Sequence, residues 1–393
     1  MAERLIVWAG TLITPRSRFE QVTVVVERGL IHDILPGTYL DPEPGDRLLD
    51  ARSQAVGPGF VDLHVHGGGG YDTMDGTVEA IEGLAAFHAQ HGTTALLPST
   101  VAAPPEACHC VLEAVGAAIG TPSAGARVLG AHVEGPFLSQ RKRGAHAAAQ
   151  VRAFERERDP WLFTHLAAIR RVTLAPELPG ALALISELRR SGVLVALGHS
   201  EAGEELVGQA VLAGATHVTH LYNAMSAMEK VGAIRRAGLA EAALLRDDLS
   251  VEVIADGFHV PVPVLQMVVR LKGPACVALV TDANRAAGLP EGRYQVGMEE
   301  VACATVRDGM AVTDEGGLAG SVATMDQLVR NMVERAGLPL PQAWQMASLT
   351  PARILGAHKL GQVAVGNEGD LVVLDADLRV AATVVAGRVA YES

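Results

Sequence analysis

Eight runs of strand length, rich in β-branched and apolar residues, recur along this chain, and stretches with helical spacing separate them. They read GPGFVDLHVH (57–66), TTALLPS (93–99), RVLGAHVEG (127–135), VTLAPE (172–177), LVALGHS (194–200), HVTHLYN (217–223), SVEVIAD (250–256) and VALVTDA (277–283). Helical composition marks residues 78–91, 105–119, 151–170, 181–191, 204–213, 239–246 and 261–271. A strand followed by a helix, eight times over, leaves few topologies, because parallel strands need crossover helices and the crossovers share one hand. The pattern predicts an α/β fold, a (β/α)8 barrel, with helices near 324–336 and 341–349 closing the ring. The two ends of the chain differ in texture. LIVWAGTLIT and VTVVVERGLIHDIL near the start, and GDLVVLDADLRVAATVVAGRVA near the end, are strands joined by Gly and Asp turns without helices. They predict a small β-sandwich domain formed by both chain termini, residues 1–55 plus 357–393, with the barrel at 56–356 inserted between them.

Composition narrows the partners. Of 393 residues 49% are hydrophobic and 19% charged, enough apolar surface for a sizeable core. The formal charge of −12 repels a phosphate backbone, so a nucleic-acid partner is not expected. The neutral stretch 206–228 is long enough for a bilayer, but His217, His220, Gln209 and Asn223 interrupt it, and no membrane span is expected. The short apolar run 5–13 lacks a small-residue cleavage pattern, so no secretory signal is expected either. Cys108, Cys110, Cys276 and Cys303 show neither zinc-ligand spacing nor a disulfide framework, which points to the cytoplasm.

In a barrel of this kind the chemistry sits at the carboxyl ends of the strands. Here those ends are rich in metal ligands: His64 and His66 on the first run, Glu134 on the third, His199 on the fifth, His220 on the sixth and Asp282 on the eighth. Residues two apart on a strand share a face, so His64 and His66 are able to aim at one ion. Imidazole and carboxylate are the ligands divalent zinc and its neighbours prefer. His132, two before Glu134, shares its face, and the spacing alone leaves its part open. The histidines at 32, 88, 91, 109, 165 and 358 fall in helices or the β domain and read as surface or packing residues. The glycines at 67–70 lack the lysine and hydroxyl of a P-loop; they read as a turn, or as backbone passing close to the site.

These residues resemble the amidohydrolase superfamily, through PGFVDLHVHG (58–67), the later single histidines and TDA (281–283). Within it the chain resembles the N-acetylglucosamine-6-phosphate deacetylase family, through HVEGPFLS (132–139), KRGAH (142–146), LGHS (197–200), THLYNAM (219–225), DGFHV (256–260) and LAGS (318–321). The resemblance implies hydrolysis of the acetamide of N-acetyl-D-glucosamine 6-phosphate, with one or two divalent metal ions per subunit, zinc foremost, then iron, cobalt or manganese. It implies Glu134, His199 and His220 as ligands of a principal ion, His64 and His66 as ligands of a second that Glu134 bridges, and Asp282 as the catalytic carboxylate. Ala145, His146, Asn223, Ala224, Asp256, His259, Leu318, Ala319 and Gly320 match segments that surround the sugar. A phosphate-binding arginine follows NAM in that family; here the text reads EKVGAIRRAG, without the usual Pro, so Arg235 and Arg236 are both candidates. A homodimer is implied, with this arginine reaching the neighbouring subunit. Three alternatives stand beside this reading: the galactosamine epimer, an amidohydrolase of cyclic amides or N-acyl amino acids, and a non-catalytic assembly protein of the same fold. Asp282 and Glu134 beside the histidines argue against the last.

Overall fold

Side chains alternate across the parallel strands at the centre of the molecule, and the two sets are of different chemistry. The computed structural model describes residues 4–15, 17–120, 124–298 and 303–393; the predicted domain spans also include residues 1–3, 16, 121–123 and 299–302, which lie outside them. Eight barrel strands follow the predicted order: β1 Phe60–Val65, β2 Thr93–Pro98, β3 Ala131–Glu134, β4 Ile169–Leu174, β5 Leu194–Leu197, β6 His217–Val218, β7 Ser250–Val253 and β8 Val277–Leu279. Neighbours pair in parallel from β3 through β8 and between β1 and β2. Single parallel bridges, Ser99 to His132 and Val65 to Ala283, link β2 to β3 and β8 back to β1, so the ring closes. Val133, Val172, Val218, Val251 and Val253 join the apolar cluster shared with the helices. The residues between them, among them His132, Glu134, Arg171, Thr173, His217, Thr219 and Glu252, are buried and polar. These bond to one another across β1, β3, β4, β6 and β7, which places them inside the barrel.

Both termini feed one seven-stranded sheet, in the order Arg388–Glu392, Val380–Val385, Leu371–Leu374, Arg47–Pro58, Arg4–Ile13, Arg18–Glu27, Leu30–Pro36. One face of it, including Val7, Val24, Ala51, Val373 and Val384, forms a core of its own. The sheet rolls over to enclose that face, for the turn at Gly29 meets the chain ahead of Leu371 through Ile31 N to Asn367 O (2.8 Å) and Gly369 N to Gly29 O (2.7 Å). Arg127 of the barrel clamps this layer through Glu368 (2.9 Å) and Asp370 (2.5 Å). Trp344 does so from the helix Leu340–Ala347, donating to Pro58 O at 2.8 Å.

Several expectations meet corrections. The helix predicted at 151–170 is reduced to Pro160–Thr164, and β4 begins already at Ile169. Proline suits a first helical turn, where its missing N–H is not needed, and Asp159 ahead of it spends its carboxylate on Arg152 (2.6 Å) and Trp161 (3.1 Å). The charged residues that looked helical therefore tie down a coil. The third run breaks at Leu129–Gly130 into Arg127–Val128 and β3. Two features were not foreseen: an exposed hairpin, Glu229–Val231 with Ile234–Arg236, and a three-stranded sheet, Gly292–Gln295, Cys303–Arg307 and Met310–Thr313. Among the described residues no helix is long and apolar enough to cross a membrane.

Candidate active site

Each ligand-type residue from the sequence sits where a barrel strand stops. His64 lies in β1 with His66 just beyond it, Glu134 ends β3, and His199, His220 and Asp282 follow β5, β6 and β8 by two or three residues. The backbone at His199 (φ 48°), His220 (27°) and Asp282 (48°) is left-handed, a conformation non-glycine residues seldom adopt and one that concentrates at functional sites. Hydrogen bonds hold the chain in it: Asp282 N donates to His64 O (2.9 Å), and Asp282 O accepts from Ser321 N (2.7 Å). Gly320 (φ 60°) lets the 318–320 segment lie against that turn, since a Cβ there would stand 2.6 Å from Asp282 O.

The side chains converge on Glu134. Its Oε1 lies 3.2 Å from Nε2 of both His199 and His220, and its Oε2 lies 3.2 Å from Nε2 of both His64 and His66. Asp282 Oδ1 closes the second pair, 3.1 Å from His66 Nε2 and 3.4 Å from His64 Nε2. Tautomers follow from the far side of each ring. Nδ1 of His64 faces the Glu252 carboxylate (2.9 Å), Nδ1 of His66 the carbonyl of Ser99 (3.2 Å), and Nδ1 of His199 the carbonyl of Lys142 (2.8 Å). Those partners only accept, so each Nδ1 carries the proton and each Nε2 turns a lone pair inward.

This donor set fits a divalent cation. His64 and His66 bring their Nε2 atoms to 3.1 Å, and His199 and His220 to 3.0 Å, so lone pairs face each other beside two carboxylates. Such a cluster demands positive charge at its centre. Where protons supply it, burial opposes them, yet Asp282 and Glu134 raise His66 to about 9 and lift His64 well above the ordinary histidine value. The carboxylates answer in kind: burial works against their charge, but the histidines hold Glu134 well below the usual range and Asp282 at about 2. His146 belongs to the same neighbourhood but differs in chemistry. Its Nδ1 accepts from Ala102 N (3.0 Å), and burial drives its pKa down to about 4, so the neutral ring presents Nε2–H, 3.6 Å from Glu134 Oε2. It offers the site a donor where the other histidines offer lone pairs.

Above this floor opens a cavity of 790 Å³, large enough for a small ligand. Of the residues matched to the sugar segments, Ala145, His146, Asn223, Ala224, His259, Leu318, Ala319 and Gly320 line it, together with His66, Glu134, His199, His220 and Asp282. Asp256 stands behind: its carboxylate accepts from His259 Nδ1 (2.7 Å) and from the backbone N of Phe258 and His259, fixing the His259 ring. Arg235 and Arg236 lie outside, on the exposed hairpin. Cations come instead from the segment after β3, where Arg141, Lys142 and Arg143 line the wall. Arg143 pairs with Glu315 (3.0 Å) and Arg141 with Glu201 (3.2 Å). The unforeseen three-stranded sheet supplies Val296, Gly297 and Thr313 to Glu315 at the rim, and Asp72 accepts from Gly297 N (3.0 Å) to hold it there.

Sequence reasoning passed over the layer beneath. Glu252 and Arg171 are fully buried and paired, with Arg171 Nη1 to Glu252 Oε2 at 2.6 Å and Nη2 to Oε1 at 2.9 Å. His217 Nε2 adds a contact of 3.1 Å to Oε2. Charged residues inside the apolar runs SVEVIAD and RRVTL were the available signal, since a buried charge is seldom left without a partner. His132 resolves as one of this layer, between Ser99 Oγ (2.9 Å) and Thr173 Oγ1 (2.7 Å). His88, read as packing, is buried and bonds Gly67 O (2.9 Å), bracing the glycine turn behind His66.

Relatives match this chain over nearly their full length. The amidohydrolase family pattern matches residues 55–390. The N-acetylglucosamine-6-phosphate deacetylase of Vibrio furnissii is 37% identical over 379 residues, covering 95% of this chain and 92% of that protein. The N-acetylgalactosamine-6-phosphate deacetylase of Escherichia coli O157:H7 is 38% identical over 374 residues, covering 93% and 97%. A Mycobacterium smegmatis N-acetyl-D-glucosamine-6-phosphate deacetylase variant, solved in complex with N-acetyl-D-glucosamine-6-phosphate, superposes with a TM-score of 0.88 at 34% identity and covers 99% of each chain. Barrel, ligand-bearing strand ends and relatives agree: the chain belongs to the amidohydrolase family, in the branch of the N-acetylglucosamine-6-phosphate deacetylases.

Proposed function

We propose that this protein hydrolyses the acetamide of N-acetyl-D-glucosamine 6-phosphate to D-glucosamine 6-phosphate and acetate. The observation that carries the reading is the convergence of four histidine Nε2 atoms on Glu134 at the floor of a cavity, with Asp282 against His64 and His66 and a neutral His146 donor beside them. Glu134, His199 and His220 would hold a principal divalent ion, and His64 and His66, with Glu134 shared, a second; imidazole and carboxylate are ligands that zinc takes. When bound, the metal lowers the pKa of water from 15.7 to about 7 and polarises a carbonyl oxygen.

The chain's own groups do the rest. Asp282, whose Oδ1 stands 3.1 Å from His66 Nε2 at the edge of the ligand cluster, takes a proton from the attacking water. As the C–N bond breaks, the same carboxyl returns the proton to the departing nitrogen, and acetate and the free amine leave. His146 Nε2–H is placed to donate to the oxygen on which charge develops. Asp256 keeps the His259 ring turned to the sugar, and Asn223, Ala224 and the 318–320 segment shape the wall.

For the phosphate, Lys142 and Arg143 stand on this chain's cavity wall, while Arg235 and Arg236 sit on a hairpin that also exposes Met228 (59%), Val231 (43%) and Ile234 (65%). An apolar projecting arm with paired arginines supports a homodimer in which one subunit's hairpin reaches its neighbour's cavity. Four free cysteines fit the reducing cytoplasm. We take the catalytic barrel as residues 56–356 and the terminal domain as 1–55 plus 357–393. The galactosamine epimer is the second reading, supported by the 38% identical Escherichia coli O157:H7 relative. Acetate release from both 6-phosphate epimers tests the assignment: faster turnover of the glucosamine epimer supports it, and faster turnover of the galactosamine epimer replaces it with the second reading.

A further inference from the structure

Glu252 lies in the middle of β7, wholly out of solvent, and its two oxygens meet five groups. Oε1 accepts from His64 Nδ1 (2.9 Å), Arg171 Nη2 (2.9 Å) and the backbone N of His220 (3.1 Å); Oε2 accepts from Arg171 Nη1 (2.6 Å) and lies 3.1 Å from His217 Nε2. Arg171 is equally buried and is itself fixed by Leu63 O (3.1 Å) and Thr219 Oγ1 (2.8 Å). A bidentate guanidinium pair holds the carboxylate in one plane and orientation. A carboxylate so held only accepts, which forces the His64 proton onto Nδ1 and leaves Nε2 bare toward Glu134 and Asp282. Of the four converging histidines, His64 alone is oriented by a charged side chain. His66 and His199 lean on backbone carbonyls, and His220 Nδ1 is buried without a partner.

We infer that Glu252, locked by Arg171, is the positioning residue that makes the His64/His66 half of the cluster competent to hold a second divalent ion. The inference rests on the two-ion reading of the site. Replacing Glu252 removes the charged acceptor of His64 Nδ1, lets the ring take the other tautomer and turns an N–H toward Glu134. The His199/His220 half keeps its own Nδ1 partner at Lys142 O and is touched by Glu252 only through a backbone N–H.

The test is metal stoichiometry and affinity in the full chain, stripped with a chelator and titrated with zinc, for wild type, Glu252→Gln and the double variant Arg171→Met/Glu252→Leu. The double change removes the buried pair together and leaves no charge stranded, which keeps folding testable; circular dichroism and Tm check it. Wild type is expected to take up two ions per subunit. Both variants are expected to keep the tighter ion and to bind the second about 10- to 100-fold more weakly, the usual cost of losing an outer partner of a ligating histidine. In a His64→Gln background, the Glu252 change is expected to have no further effect on metal content. Two ions at unchanged affinity in the folded double variant overturn the inference alone, as does loss of both ions from it. A single ion in wild type overturns the two-ion reading and the inference with it.

Discussion

Asp282→Asn separates the proton-transfer step from the architecture around it. Asparagine has the same shape, so the left-handed turn at φ 48°, the bond from Asp282 N to His64 O and that from Ser321 N to Asp282 O all survive. What disappears is a base. The native carboxyl, 3.1 Å from His66 Nε2 and 3.4 Å from His64 Nε2, is the carboxylate at the edge of the cluster able to take and return a proton. General acid–base catalysis by a positioned group is worth about 10²- to 10⁴-fold, and here one carboxyl serves as base and then acid, so kcat should fall toward the upper end of that range. At 1.36 kcal/mol per decade, a loss of 10³- to 10⁴-fold corresponds to about 4 to 5.5 kcal/mol of transition-state stabilisation. KM should move little, because the residues lining the sugar pocket are untouched. Asp282 meets His64 and His66, so an ion bound at Glu134, His199 and His220 should remain. Steady-state acetate release and metal analysis on the same preparation give both numbers. Turnover within about tenfold of wild type would refute the assignment of the proton to this carboxyl, and loss of all metal would show that Asp282 is structural.

Glu134→Ala should abolish both metal uptake and turnover, since both halves of the cluster meet its oxygens; a stoichiometric ion retained in that variant contradicts the bridging geometry. Burial lowers the His88 pKa to about 4, against about 6.5 in an unfolded chain, so the unfolded state binds the extra proton and stability falls as pH drops from 6.5 toward 4. The loss is at most about 3 kcal/mol, and His88→Gln should remove it: equal Tm losses for wild type and variant between pH 7 and pH 4.5 refute the reasoning. Arg171→Met alone strands Glu252 and should cost about 3 to 5 kcal/mol, while Arg171→Met/Glu252→Leu should recover most of it in urea unfolding; a double variant no more stable than the single one contradicts the pairing.

The barrel was legible because eight strands must alternate with helices to close, and each apolar run announced itself locally. The convergence of ligand-type residues was legible for a related reason: a strand end has a fixed place in such a barrel, so His64, Glu134, His199, His220 and Asp282, far apart in sequence, were bound to meet. What stayed hidden depends on tertiary contacts. Arg171 and Glu252 looked like interruptions in two unrelated strands until the barrel set them side by side. The helix predicted at 151–170 failed because Arg152 and Asp159 bond to each other across a coil, which composition does not reveal. The three-stranded sheet at 292–313 is short and half-exposed, with too few apolar residues to declare a period. The arginine after NAM was harder to place: Arg235 and Arg236 sit on an exposed hairpin and do not line this chain's own cavity, which a motif match gives no means to foresee.

The central claim is metal-dependent removal of acetate from a phosphorylated amino sugar. Its most direct test is acetate release by metal-stripped and zinc-restored protein, supplied with N-acetylglucosamine 6-phosphate and with N-acetylglucosamine. The account predicts no turnover in the stripped protein, recovery on adding zinc, and a kcat/KM for the phosphorylated sugar at least about 100-fold above that for the free sugar, the worth of about two charge-assisted contacts. Equal rates on the two sugars, or full activity in protein shown to be free of metal, would contradict it.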